Sequence, residues 1–195
     1  KTFTATHDPL MWREAADQFL LEAGVKLYLH TAVTGVIMEG DHFQGVVIES
    51  NAGRSVVLAK RIIDASGDAA VIARAGHRYF YGDQGRIQNP TMFFRVGGVD
   101  IDTYLDYYGD NTICPPKVTA AIDEARETGE YTLPRNKIWM FPTTRPGELM
   151  VNATRLAGQG GRVLNVIDPA DFTEAEIGGR LQVRDYIPQQ LRAWL

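Results

Sequence analysis

The chain has 195 residues, 45% of them hydrophobic and 23% charged, enough apolar material for one generous domain or two small ones. A net charge of −4, with no basic run longer than Lys60-Arg61, argues against nucleic acid or an anionic membrane as a partner. The single cysteine, Cys114, excludes an internal disulfide and a cysteine-based zinc cluster and suits a reducing cytoplasm, while no run is apolar enough to span a bilayer and no signal-peptide pattern opens the chain.

Asp8-Pro9 predicts a helix start, with Asp8 as the cap and proline where its missing N–H costs nothing. The helix runs to Ala23. Trp12, Ala16, Phe19, Leu20 and Ala23 recur at spacings of three and four, which predicts one face packed on a flat neighbour, and Gly24 supplies the stop. Val25 to His30 alternates as a strand does. Val33 to Glu39, Phe43 to Ser50 and Ser55 to Ala59, punctuated by Gly40-Asp41 and Asn51-Ala52-Gly53, read as an antiparallel meander. Arg61 to Ala65 then reads as a second parallel strand beside Val25 to His30. Ser66-Gly67 turns the chain into a helix capped by Asp68 and ended after Ala75 by Gly76, which makes half of a βα unit. Ligands of open α/β sheets sit outside the carboxyl ends of such strands, so this turn is the first place to look for a site.

The pattern changes after Gly76, where Tyr79, Phe80, Tyr81, Gly82 and Gly85 mark an irregular link and a domain boundary is expected. Thr91 to Val96 is a predicted strand closed by Gly97-Gly98, and Asp102 to Tyr108 a short helix. Pro115-Pro116 opens a helix through Thr128, and Lys137 to Thr143 with Glu148 to Arg155 form two strands around Arg145-Pro146-Gly147. A last helix is predicted from Thr173, with Glu176 completing a capping box, and Pro188 kinks or ends it. A start at Lys1 without methionine and a stop at Leu195 inside a helical pattern lead us to expect a longer natural protein.

No G-x-G-x-x-G occurs in the chain. Gly158-Gln159-Gly160-Gly161 opens no helix and reads as a flexible loop in preference to a phosphate cradle. The small residues of Asp64-Ala65-Ser66-Gly67-Asp68 leave room for a ligand beside the backbone, with plain helix capping as the competing explanation. His7, His30, His42 and His77 lack metal-ligand spacing, so no metal site is assigned, although His30 at a predicted strand end has a structural role to inspect. Ser66 is not in a nucleophile elbow, and Cys114 before a helix start reads as an unreactive loop cysteine or a stabilised thiolate.

Several ordered stretches resemble the FAD-dependent oxidoreductase family distantly related to the fumarate reductase and succinate dehydrogenase flavoproteins. They are Asp8-Pro9 with Glu22-Ala23-Gly24-Val25, Leu29-His30-Thr31-Ala32-Val33, and Ala59-Lys60-Arg61-Ile62-Ile63-Asp64-Ala65-Ser66-Gly67-Asp68. Met92-Phe93-Phe94-Arg95-Val96-Gly97-Gly98-Val99-Asp100, Val151-Asn152-Ala153-Thr154-Arg155 and Glu174-Ala175-Glu176-Ile177-Gly178-Gly179-Arg180 continue the likeness over nearly the whole chain.

The resemblance implies an α/β fold: part of a Rossmann-like FAD-binding domain with a β-meander crossover over residues 1–76, and an α+β cap domain over 77–195. It implies FAD as cofactor, with Ala65, Ser66 and Gly67 lining its adenosine and pyrophosphate end and Val33 meeting the adenine edge through main-chain bonds. Ser66 stands where the family commonly has threonine. The glycine-rich pyrophosphate turn would precede Lys1 and the last FAD segment would follow Leu195, so the chain reads as an internal fragment in which FAD affinity is weakened. The implied reaction is hydride transfer between the flavin and a small-molecule substrate. For it, Arg95 and Arg155, each on a predicted strand, are candidates to bind a substrate carboxylate or stabilise reduced flavin, with local acid pairing as the alternative. Asn152 and Thr154 share a strand face that lines a pocket or faces solvent. The rival class is a non-catalytic scaffold or interaction module without cofactor; a nicotinamide-binding Rossmann protein is disfavoured by the missing glycine fingerprint.

Overall fold

A computed structural model describes residues 7–109 and 114–187. The chain divides into two compact units, one of residues 16–86 and one of residues 1–15 with 87–195. Pro188, the expected kink, lies outside the described residues.

The first helix, α1 (Pro9–Glu22), starts as its sequence requires: the Asp8 carboxylate accepts the N–H of Leu10 at 2.8 Å and of Met11 at 3.3 Å. It ends at Gly24, whose φ of +74° lets Gly24 and Val25 close back on the carbonyls of Leu21 and Leu20. The expected packed face is realised only in part. Ala16 and Leu20 are half-buried, whereas Trp12 and Phe19 remain 63% and 74% exposed. Those two side chains flank the narrow Ala16/Leu20 stripe, so the apolar spacing overestimated the width of the covered face.

Residues 16–86 are built on the meander β1 (Ala32–Glu39), β2 (His42–Ser50) and β3 (Gly53–Leu58), an antiparallel sheet in that order. Its turns fall where Gly40 and Gly53 supply positive φ. Register slips at Thr34 in β1 and at Gln44 in β2 give one bulge in each strand, which increases the local twist. Gly45 is required by close approach, because any side chain there would run into the Val57 carbonyl of the neighbouring strand. The short helix α2 (Ala70–Arg74) packs on β1 and buries Val71.

Two predicted strands do not form. Val25 to His30 and Arg61 to Ala65 join no ladder, and Leu29 and His30 form a turn, so no parallel pair exists among the described residues. A strand needs a partner for its backbone groups, and neither segment has one; the side chains of the second bond locally instead, the Arg61 guanidinium to the Lys60 carbonyl and the Asp64 carboxylate to the Ser66 N–H. Val25, Tyr28 and Leu29 are correspondingly exposed, and the Lys26 ammonium lies 5.0 Å over the Tyr28 ring. The mixed helix-and-strand class is present, carried by two antiparallel sheets.

In residues 87–187 the second sheet places β6 (Glu148–Asn152) between β4 (Phe94–Gly97) and β5 (Trp139–Pro142), all antiparallel. Alternation along β6 buries Leu149 and Val151, each 1% exposed, and Ala153 follows. The helices α3 (Ile101–Tyr108), α4 (Pro116–Glu127) and α5 (Pro169–Tyr186) complete the unit. Tyr104 and Tyr108 of α3, and Tyr186 of α5, join the buried core around Leu149 and Val151. Their hydroxyls are satisfied by main chain: Tyr104 donates to the Met140 carbonyl at 2.9 Å and Tyr108 to that of Ile138 at 3.1 Å, which ties α3 to the β5 segment. Helix α5 begins four residues before the predicted Thr173, because Asp168 caps it and Pro169 opens it; Glu176 pairs with Arg180 and completes no capping box.

Thr91 to Phe93 fall short of β4 but are held to the chain beyond β6. The Thr154 hydroxyl, fully buried, accepts the Met92 N–H at 2.7 Å and donates to the Met92 carbonyl at 3.1 Å, while Leu156 bonds to Pro90. Thr154→Val keeps the shape and removes the hydroxyl. It should cost ~1–3 kcal/mol in urea denaturation, since the Met92 N–H is left buried without an acceptor.

Candidate functional site

The bend after Ala65 is organised by Asp64. One of its carboxylate oxygens accepts the Ser66 N–H at 3.0 Å, and the other accepts the N–H groups of Val71 at 2.9 Å and Ile72 at 3.2 Å. The Ser66 hydroxyl donates to Asp64 and accepts the Ala70 N–H at 3.0 Å. This corrects the expected cap. Asp68 is exposed and bonds nothing at the helix start, because Ala69 takes a left-handed φ of +51° and turns the chain so that α2 presents its amides to Asp64. The hydrogen bond from the Ser66 hydroxyl, then those from the Ser66, Ile72 and Val71 amides, hold the Asp64 pKa down to about 2.

Ala65, Ser66 and Gly67 are all exposed, and a Cβ added to Gly67 would meet nothing within 4 Å. Small residues therefore reach the surface at this bend, and Gly67 presents its main chain. The first amides of α2 do not fit a phosphate, because a carboxylate and a hydroxyl already occupy them.

Val33 lies on β1, paired with Ile48 beside the Thr34 bulge. Next to it His30, Thr31, Ala32 and Thr34 form one side of an open groove whose other side is Glu49, Ser50 and Asn51. His30 has a left-handed φ of +51° where the extended segment turns into β1, in place of the predicted strand end. Because α2 packs on β1, Val33 and the bend belong to one small unit.

Arg95 and Arg155 are in the other unit. Arg95 is on β4 as predicted, and its guanidinium lies 3.7 Å from Glu148. Arg155 lies beyond the end of β6; its side chain is exposed while its N–H and carbonyl are clamped by the Gln182 amide at 3.1 and 3.0 Å. No hydrogen bond or ion pair joins the two arginines among the described residues. Asn152 and Thr154 come together as their spacing suggested, meeting at the Thr91 hydroxyl. Arg135, unnoticed in sequence, donates to the Asn152 side-chain oxygen at 3.1 Å. Its only local signal is Pro134, which favours an extended approach to β5.

The glycine-rich stretch is neither a loose loop nor a cradle. Gly158 bonds to Arg162, Gln159 donates to Glu174, and Arg162 bridges Asp171 and Glu174 at 2.7 Å each. Two acids against the turn disfavour an anion there. The Cys114 thiol lies half-buried, 3.5 Å from the Thr119 hydroxyl. Among the described residues no cluster of three acidic, histidine or cysteine side chains is arranged to hold a metal, and no helix is long and apolar enough to cross a membrane.

The family model described as FAD dependent oxidoreductase matches residues 1–195, and the chain belongs to that family. Its cofactor is FAD. No curated protein and no solved structure matches the chain.

Asp64→Asn tests the bend. An asparagine has one accepting oxygen where three amides and a hydroxyl converge, so the variant should melt at a lower temperature at neutral pH. Asp64 titrates below its ordinary range in the folded chain, so its stabilisation is whole above roughly pH 4 and is lost as pH falls toward about 2. Circular-dichroism melts across that window should show a steeper loss for the wild type than for the variant.

Proposed function

We propose that this protein carries out flavin-mediated hydride transfer to or from a small-molecule substrate, with residues 1–76 on the cofactor side and 77–195 on the substrate side. The observation that carries the reading is the exposed run of small residues Ala65, Ser66 and Gly67, in a chain matched along its whole length by an FAD-dependent family. FAD, when bound, would supply the hydride-accepting and hydride-donating chemistry.

The chain's own residues then have separate tasks. Ala65 to Gly67 would line the nucleotide with only small side chains in the way, and Asp64 would hold that bend through its bonds to Ser66, Val71 and Ile72. The first amides of α2 are engaged, so phosphate charge is neutralised elsewhere. Val33 offers main-chain groups to the adenine edge, beside the groove formed by His30 to Thr34. On the substrate side, Arg155 carries a charge without an ion-pair partner among the described residues, whereas Arg95 is shared with Glu148.

FAD titrated into the complete natural polypeptide that contains this sequence should quench flavin fluorescence with saturation. Ala65→Leu adds bulk at an exposed position and should weaken that binding about tenfold, roughly 1.4 kcal/mol, with unchanged melting in the absence of FAD. A polypeptide that folds and leaves flavin fluorescence untouched would instead support the scaffold reading.

A further inference from the structure

We propose that the free edge of β3 is a docking strand for an extended acidic peptide, which adds antiparallel to the meander and sets its carboxylates against Lys60 and Arg61. The surface lies wholly within residues 16–86 and is independent of the flavin reading.

The order β1-β2-β3 gives β3 a strand neighbour on one side only. The Ala59 N–H bonds to the Gln44 carbonyl at 3.0 Å, continuing the register that pairs Leu58 with Gly45. Bonded and unbonded positions alternate along an antiparallel pair, so Val57, Ser55 and Gly53 also turn their main-chain groups toward β2. The N–H and C=O of Arg54, Val56 and Leu58 therefore point away from the sheet. All three residues are exposed, Val56 by 51% and Leu58 by 72%.

Native edges are commonly blunted by a bulge, a proline or a projecting charge. β3 pairs with β2 without a register slip, and its sequence Gly-Arg-Ser-Val-Val-Leu contains no proline. Its one charge, Arg54, is drawn back across the ladder to Glu49 at 3.1 Å. From Ser55 to Ala59 the edge is uncharged and offers donors and acceptors at strand spacing, which is the template that an added strand requires.

Charge selects the occupant. No acid occurs between Gly53 and Ile63, while Lys60 and Arg61 are exposed at the end of the strand with no ion-pair partner among the described residues. The Arg61 guanidinium bonds to the Lys60 carbonyl at 2.8 Å, which keeps the two cations together. Asp64, the next acid, has its oxygens engaged by the amides of Ser66, Val71 and Ile72. A second copy of this chain is a poor fit, because antiparallel pairing about Val57 would oppose Arg54 and Lys60 at both ends. A strand of the pattern acid-x-apolar-x-apolar fits: its acid reaches Lys60, and its apolar residues fall beside Leu58 and then Val56.

Fluorescence anisotropy with the complete natural polypeptide that contains this sequence tests the proposal. The probe is a fluorescein-labelled peptide of two glutamates followed by alternating threonine and valine. It should bind with saturation, and more tightly as salt is lowered. N-methylation of its valine amides should weaken binding more than about tenfold, since those amides would bond to the edge. Lys60→Glu should weaken binding about tenfold, as a surface attraction gives way to a repulsion, and should gain affinity for the same peptide headed by lysines. Val56→Pro removes an outward N–H while sparing the bonds to β2, and should abolish binding. Should that variant fail to melt cooperatively, the methylated probe and the charge swap decide. A methylated probe that binds as tightly as its parent overturns the proposal, as does a parent probe that does not bind or that Lys60→Glu binds equally well. Sedimentation that finds a wild-type dimer dissociated by Val56→Lys also overturns it, and assigns the edge to a second copy.

Discussion

The bend between Ala65 and Ala70 depends on one carboxylate. Asp64 gathers the amides of Ser66, Val71 and Ile72, and through the Ser66 hydroxyl it also reaches Ala70. These are groups that a five-residue helix cannot satisfy by itself. By satisfying them from the preceding extended segment, Asp64 orients α2 so that Val71 is buried and the helix packs on β1. Ala65, Ser66 and Gly67 are then left at the surface. The same interaction that leaves these small residues exposed closes the helix start to other anions.

The unit containing residues 87–187 solves a different problem. Its central strand β6 buries alternate aliphatic side chains, and three tyrosines bring hydroxyls into the same core. Each hydroxyl meets a main-chain group, so burial of the ring leaves no unpaired polar atom. Tyr186 does this most economically, since one oxygen both accepts from and donates to Arg135. Core packing and placement of a charged side chain are therefore properties of the same helix face. Burial also pushes the Tyr186 hydroxyl pKa upward, which keeps it a donor through the physiological range.

Charge is distributed unevenly among the arginines. Arg95, the more obvious sequence candidate because it falls on a strand in a family-like stretch, is partly neutralised by Glu148, which itself accepts the Thr143 hydroxyl. Arg162 is held between two acids and serves to close the glycine-rich turn. Such pairing cannot be read from spacing, because the acids come from other elements: Glu148 from β6, Asp171 and Glu174 from α5. What distinguishes a structural arginine from one open to a ligand is the identity of its neighbours in space.

Features decided within a few residues were legible in the sequence alone. Asp8 and Gly24 bound α1 as expected, the turns around Gly40 and Gly53 set the meander, Pro116 opened α4, and the ordered family stretches identified a flavin-linked protein. Capping and turn chemistry act through bonds to immediate neighbours, and their residue types carry the information. Tertiary structure alone decided whether Val25 to His30 and Arg61 to Ala65 found strand partners, which of two aspartates capped α2, and which arginine was left without an acid. Each of those outcomes is a competition for a hydrogen bond or charge among groups far apart in the chain, and only their arrangement in space determines the winner.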